Sequence, residues 1–123
     1  MYLIGAEHPN RTEAAAILER LIGQGERLVT DAEVFQEVLY RYDSINRRDA
    51  IQPAFDVMLE LVSEVFPITI AELQSAKELV LGYPQLNARD AIHIAVMRSQ
   101  AIGEVLTFDK GYDVVPGILR ISL

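Results

Sequence analysis

The stretch NARDAIHIAVMRSQAIGEVLTFD, residues 87–109, predicts a helix followed directly by a strand. Asn87 and Asp90 are typical of a helix start, and Gly103 ends the helical pattern. The next five residues, 104–108, are rich in strand-forming side chains. A helix that leads into a short buried strand is the repeating unit of parallel α/β sheets, so this stretch predicts a sheet of that kind.

The rest of the chain repeats this alternation. Helical patterns cover residues 12–23, 32–42 and 70–81, and short strand-like runs cover residues 28–30, 65–69 and 118–121. Residues 47–63 are also helical, with a break or kink expected at Pro53, because proline has no amide hydrogen and is predicted to start a new helix after Gln52. No repeat or long linker separates two cores, so residues 1–123 are predicted to form one domain.

Two further features concern the ends of these elements. Asn10 with Glu13, and Thr69 with Glu72, predict capping boxes in front of two helices. Only four strands are visible in the pattern, and the chain opens inside the apolar residues 1–4 with no turn signal before them. The beginning of the chain therefore resembles the middle of an element.

Composition excludes several classes of protein. The chain has 123 residues, half of them hydrophobic, a net charge of −7 and no cysteine. It is too apolar to be disordered, and it can form neither disulfides nor thiolate metal sites. Because it has no apolar run of membrane-spanning length and no secretion signal, we expect a soluble, cytoplasmic protein. An acidic chain repels phosphate backbones, so any nucleic-acid role needs a local basic patch or bound cations.

Acidic side chains are predicted to converge at one edge of the sheet, where strands end and helices begin. Asp109 directly follows one strand, and Asp90 lies in the first turn of the helix that leads into it. Asp31 opens another helix at this edge, and Glu37 lies about 9 Å further along that helix. Converging carboxylates need a compensating positive charge, which in a chain without cysteine indicates Mg²⁺ or Mn²⁺. Such an ion could activate water and orient a phosphodiester.

Each of these carboxylates also has a purely structural interpretation. Asp90 could only cap its helix, and Asp109 and Asp113 could only serve a turn. Glu37 lies away from the apolar stripe of its helix, so periodicity alone makes it a surface residue.

The histidines and arginines give weaker signals. His93 and His8 have no partner at metal-ligand spacing, and His93 is interpreted as a packed or solvent-facing histidine. Arg41, Arg47 and Arg48 could contact phosphates, or could only complement the dipole of the helix they follow.

Two blocks near the C-terminus resemble a known family. Residues 87–95, NARDAIHIA, and residues 106–113, LTFDKGYD, with Val115-Pro116-Gly117, together resemble the C-terminal signature of PIN-domain ribonucleases, in particular VapC-like toxins of toxin–antitoxin pairs. Residues 30–39, TDAEVFQEVL, look like the family's first strand-to-helix passage, in which Glu37 matches the conserved glutamate. The resemblance covers nearly the whole chain.

This resemblance implies a Rossmann-like three-layer α/β/α sandwich with a central parallel sheet. It also implies a Mg²⁺- or Mn²⁺-dependent endoribonuclease whose site contains an N-terminal aspartate, a helix glutamate and two later aspartates. The last three correspond to Glu37, Asp90 and Asp109, while Asp113 matches a further acidic position and Thr107 a hydroxyl residue beside the site. The implied partners are an RNA substrate, a cognate antitoxin and, commonly, a second copy in a homodimer.

The chain departs from the family at its beginning. The family starts with an apolar strand that ends in an aspartate, whereas residues 1–5 resemble the segment directly after that motif. Without this central strand, we expect a gap in the core and unpaired backbone groups. We therefore hypothesise that the polypeptide begins about 10 to 15 residues upstream, the length of one strand and a turn. As written, the chain is expected to bind metal weakly and cleave poorly.

Two alternative functions remain open. The first is a catalytically silent PIN-like module that only binds an antitoxin-like partner, which the absent aspartate favours. The second is a phosphoacceptor signalling domain, which needs an early acidic doublet and a lysine that closes a late strand. The sequence offers neither of these at the required places.

Overall fold

The computed structural model describes residues 1–5, 11–107 and 110–121, with the side chains of all but residues 11–14. Within this part of the chain, five strands form one parallel sheet in the order β3-β2-β1-β4-β5. The strands are β1 (Tyr2–Ile4), β2 (Leu28–Asp31), β3 (Glu64–Phe66), β4 (Glu104–Leu106) and β5 (Leu119–Ile121). Every neighbouring pair runs parallel, which confirms the predicted sheet.

Helices connect the strands. They are α1 (Arg11–Gly23), α2 (Ala32–Ser44), α3 (Ile51–Leu61), α4 (Ile70–Gly82) and α5 (Ala88–Ser99), with 3₁₀ turns at Arg48–Ala50 and Lys110–Val114. The predicted cap at Asn87 is confirmed, and so is the capping box of Thr69 and Glu72. The capping box predicted for Asn10 and Glu13 lies outside the described side chains.

Hydrophobic side chains pack on both faces of the sheet, because successive residues of a strand point to opposite sides. On one face Leu3, Val29 and Val105 pack against α4 and α5. On the other face Ile4, Leu28 and Leu106 pack against α1, with partly buried side chains of α3 at the edge. Helices therefore cover both faces, which confirms the three-layer α/β/α arrangement.

The expectation of a gap at the centre of the sheet is wrong. Tyr2–Ile4 forms the central strand β1, which pairs with β2 on one side and β4 on the other. Three apolar residues are enough to form this central strand, because Leu3 and Ile4 are buried against helices on opposite faces of the sheet. Gly5 follows β1 at the edge of the sheet where β2 ends in Asp31.

Two predicted boundaries are shifted by a few residues, and both involve proline. A new helix does start near Pro53, but α3 begins at Ile51, so Pro53 lies in its first turn, where an amide hydrogen has no intrahelical partner. The strand predicted over residues 65–69 ends at Phe66, directly before Pro67, because proline cannot donate a hydrogen bond to a neighbouring strand. Among the described residues, no helix has the length and apolar character required to cross a bilayer.

Candidate active site

The edge where β2 ends and α2 begins carries a buried carboxylate, Asp31. Its side chain is fully buried and accepts a hydrogen bond from the backbone N–H of Val34, at 3.2 Å, so it caps α2. The sequence predicted that Asp31 opens this helix. The position of Asp31 follows from the local sequence, since aspartate is a favoured N-cap and the apolar strand before it is held in the sheet.

A histidine from α5 joins two carboxylates of the α2 segment. The Nδ1 atom of His93 lies 2.7 Å from Oδ2 of Asp31, and its Nε2 atom lies 2.9 Å from Oε1 of Glu37. The side chain of His93 is 2% exposed and that of Glu37 is 14% exposed. Glu37 is therefore not the surface residue that periodicity alone suggested, and His93 is a packed histidine with two acidic partners.

These partners change the protonation of His93. Burial by itself lowers the pKa of a histidine, because it disfavours the charged form. In His93 the hydrogen bonds to Asp31 and Glu37, and the charges of these carboxylates, outweigh burial and raise the pKa from 6.5 to about 10. His93 is therefore a buried cation at neutral pH.

Asp90 lies at the start of α5, one turn before His93. The side chain of Asn87 caps this helix by accepting a hydrogen bond from the Asp90 backbone N–H, at 2.8 Å, and its Nδ2 atom donates to Asp90 Oδ2, at 3.0 Å. Asp90 also forms a side-chain hydrogen bond with the buried Tyr112. The carboxylate of Asp90 is thus oriented by two neighbours in addition to any role in capping.

Tyr112 shows that the acidic side chains share one region. Burial raises the pKa of Tyr112 well above 10, and the hydrogen bond and charge of Asp90 raise it further. The charges of Glu37 and Asp31 act on the same phenol in the same direction. The negative charges of Asp31, Glu37 and Asp90 therefore all act on the Tyr112 hydroxyl, and we call these three side chains the acidic neighbourhood.

A further buried acid, Glu33, interacts with this acidic neighbourhood. Burial raises its pKa, and the negative charge of Glu37 raises it further, while His93 acts in the opposite direction. A carboxyl group with a raised pKa retains its proton to higher pH, which limits the repulsion among these acids.

The other predicted ligands have different surroundings. Asp109 lies outside the described residues. Asp113 lies in the 3₁₀ turn with a half-exposed side chain, and it forms two hydrogen bonds with Arg120, at 3.1 and 3.2 Å. Within residues 1–5, 11–107 and 110–121, no group of three or more histidine and acidic side chains is arranged so that it could hold one metal ion.

The basic residues suggested as phosphate contacts form ion pairs on the surface. Arg47 pairs with Asp49 and Arg48 pairs with Asp43, in each case between exposed side chains. Arg41 lies in the last turn of α2, as expected for a residue that complements the helix dipole.

Sequence reasoning did not assign His93 or Tyr112 to the site. His93 lies one turn after Asp90 on the same helix face, and this spacing was the available signal for its place beside the acids. The acidic partners of His93 are 56 and 62 residues away in the sequence, so spacing within one element could not identify them.

Comparisons with known proteins agree on one family. The family model described as PIN domain matches residues 1–118. Ribonuclease VapC13 of Mycobacterium tuberculosis is 50% identical over 122 residues, which are 99% of this chain and 93% of that protein.

Solved structures give the same result for the fold. The crystal structure of Mycobacterium tuberculosis VapC20, described as a sarcin-ricin loop cleaving toxin, aligns with a TM-score of 0.78 and 18% identity over the full length of both chains. VapBC2 from Rickettsia felis, bound to a DNA fragment from its promoter, aligns with a TM-score of 0.74 and 12% identity over 98% of this chain and 96% of that one.

Proposed function

Because this chain belongs to the PIN-domain family and is, like its VapC relatives, a toxin endoribonuclease of a toxin–antitoxin system, we propose that the acidic side chains around Tyr112 form a divalent-ion site for RNA cleavage. The observation that carries the proposal is that His93 of α5 contacts both Asp31 and Glu37, while Asp90 lies one turn before His93 on the same helix. Carboxylates so placed have the oxygen atoms that Mg²⁺ and Mn²⁺ prefer.

In this proposal, Glu37 and Asp90 hold the ion and Asp109 completes the site, while Asp113 supports it. The donor set fits a hard cation, since the chain has no cysteine and the ligands are all carboxylates. Asn87 and Tyr112 orient the carboxylate of Asp90. Asp113 would have to exchange its Arg120 partner for the ion. When bound, Mg²⁺ or Mn²⁺ would lower the pKa of a water molecule and neutralise charge on the phosphate.

Metal removal tests this proposal. We expect EDTA to abolish RNA cleavage by the purified chain, and Mg²⁺ or Mn²⁺ to restore it. Glu37→Gln, Asp90→Asn and Asp109→Asn should each lose cleavage and bind Mn²⁺ more weakly in calorimetry, because each removes one charged oxygen ligand.

A matched control is Glu78→Gln, which removes one exposed carboxylate from α4 and should leave cleavage unchanged. Cleavage that persists in EDTA, or in both Asp90→Asn and Asp109→Asn, would contradict the ion site.

One observation favours the second candidate function, a silent PIN module that binds an antitoxin without cutting RNA. Among the described residues 1–5, the central strand β1 ends at Ile4 and is followed by Gly5, so these residues supply no carboxylate. The silent module predicts tight binding of the partner together with no cleavage in Mg²⁺ or Mn²⁺, whereas the nuclease predicts cleavage in these ions.

The proposed partners are an RNA substrate, a cognate antitoxin and a second copy of the chain. Toxin–antitoxin complexes among the structural neighbours support the antitoxin. Exposed apolar side chains on α2, Leu39 and Tyr40, line a cavity of about 360 Å³ and support association with another chain. We place the protein in the cytoplasm, where its RNA substrate is. Analytical ultracentrifugation of the chain alone should detect a homodimer.

A further inference from the structure

The buried ring of His93 connects the two ends of an acidic segment. Asp31 caps α2, and Glu37 lies six residues further along the same helix, yet both carboxylates contact this one side chain of α5. The contacts, at 2.7 and 2.9 Å, involve different ring nitrogens. His93 therefore fixes the orientation of α5 relative to two points of α2.

Each contact lies within hydrogen-bonding distance, so one hydrogen atom is shared between each ring nitrogen and the carboxylate oxygen that faces it. Two such bonds on different sides of a planar ring fix its orientation.

The contact with His93 restrains the side chain of Glu37, which α2 itself does not hold in place. Glu37 has a long, flexible side chain and lies off the apolar stripe of α2, so packing within the helix does not fix its carboxylate. Asp31 is held by the backbone N–H of Val34, at 3.2 Å, and in turn fixes the ring of His93. The Nε2 atom of that ring then holds the carboxylate of Glu37 through the second hydrogen bond.

We propose that His93 is a positioning residue, whose Nε2 atom holds Glu37 in the orientation that the ion site requires and whose Nδ1 atom is fixed by Asp31. The inference rests on the proposed function, since that function gives Glu37 its role as a ligand. It adds a pair of residues, His93 and Asp31, that act on the reaction through Glu37 without contacting the ion.

Two substitutions separate the contacts of the ring. His93→Gln places an amide near the position of Nε2 and can still donate to Glu37, whereas His93→Asn places an amide near Nδ1 and reaches only Asp31. We expect His93→Asn to weaken Mn²⁺ binding by about tenfold to 100-fold, the usual effect of losing a group that orients a metal ligand. At saturating Mn²⁺ it should lower kcat with little change in KM for RNA, because the ion is then bound, and His93→Gln should recover most of the loss in Mn²⁺ affinity and in kcat.

A packing control comes from the same helix. Ile94→Val removes one buried methyl group beside His93 without touching Glu37, and should leave Mn²⁺ affinity unchanged. Suppose that Glu37→Gln binds Mn²⁺ weakly, whereas a folded His93→Asn variant binds it as tightly as the wild type. This result would overturn the inference about His93 and leave the ion site in place. Wild-type Mn²⁺ affinity in Glu37→Gln would overturn the ion site and the inference together.

Discussion

At the scale of single residues, the side chain of Asn87 has two separable functions. Its oxygen caps α5 by accepting from the Asp90 backbone, and its nitrogen donates to the Asp90 carboxylate. Asn87→Ala should lower the free energy of unfolding by about 1 kcal/mol, the usual cost of losing a cap. Asn87→Ser should restore the cap and therefore the stability, because a serine oxygen can accept the same hydrogen bond.

Asn87→Ala and Asn87→Ser both lose the hydrogen bond to the Asp90 carboxylate, since neither alanine nor serine has the side-chain amide that donates it. We therefore expect both to bind Mn²⁺ more weakly than the wild type, although only Asn87→Ala is less stable. Urea unfolding and calorimetric titration with Mn²⁺ measure the two effects separately. Full Mn²⁺ affinity in Asn87→Ser would show that the amide of Asn87 does not orient Asp90.

The charge of His93 makes the stability of the protein depend on pH. Burial alone lowers its pKa, but the hydrogen bonds to Asp31 and Glu37 raise it to about 10 in the folded protein, from 6.5. An unfolded chain releases this proton near pH 6.5, so the stabilisation is complete below that pH and is lost as the pH rises towards 10. Within this interval the free energy of unfolding should fall by up to about 1.4 kcal/mol per pH unit.

Urea unfolding at about pH 6 and about pH 9 measures this dependence. His93→Gln cannot change its charge, so it should lose less stability between the two pH values than the wild type loses. An equal loss in both proteins would indicate that His93 is not charged in the folded state.

At the scale of elements, the end of β1 is the position at which the site differs most from the family pattern. Gly5 follows the central strand and is buried next to the ends of β2 and β4. A carboxylate at this strand end would add an oxygen ligand to the acidic neighbourhood. We therefore expect Gly5→Asp to bind Mn²⁺ more tightly and to cleave RNA faster than the wild type.

Gly5→Asn is the matched control, because asparagine has nearly the same size as aspartate but no charge. Without metal, Gly5→Asp should be less stable than Gly5→Asn owing to repulsion among carboxylates, and Mn²⁺ should reverse this order in thermal unfolding. If the two variants bind Mn²⁺ equally, the end of β1 does not belong to the ion site.

At the scale of the whole molecule, one sheet joins two hydrophobic clusters. Ile94 belongs to the cluster on the α4 and α5 face, and Ile17 belongs to the cluster on the α1 face. Ile94→Val and Ile17→Val should each lower the free energy of unfolding by about 0.5 to 1.5 kcal/mol, since both side chains are fully buried.

Both variants should unfold in a single transition, because the sheet is the common wall of the two clusters and residues 1–123 are predicted to form one domain. Ile22→Val provides the control, since Ile22 is 55% exposed and its shortening should change stability little. Two separate transitions in urea, each sensitive to one of the buried variants, would contradict a single cooperative domain.

The net charge of the molecule bears on how it binds RNA. At −7, the chain repels phosphate groups on average, and Arg47 and Arg48 are engaged by acidic neighbours on the surface. A divalent ion between the carboxylates and the RNA would reduce this repulsion, so the ion is expected to assist binding of RNA as well as its cleavage.

The sequence by itself determined the alternation of strands and helices, the caps at Asp31, Thr69 and Asn87, and the family. These features depend on side chains within one or two helical turns of each other, or on short contiguous motifs, so they can be interpreted locally. The sequence also indicated which edge of the sheet collects acidic side chains, because the parallel arrangement fixes where strands end and helices begin.

Only the tertiary structure decided that Tyr2–Ile4 is the central strand, since three apolar residues become a strand through their neighbours β2 and β4. It also decided that His93 carries a charge and that Glu37 is largely buried, because both properties arise from contacts between α5 and α2. Hydrogen bonding and desolvation act between groups that are close in space, and the partners of His93 are brought to it by folding.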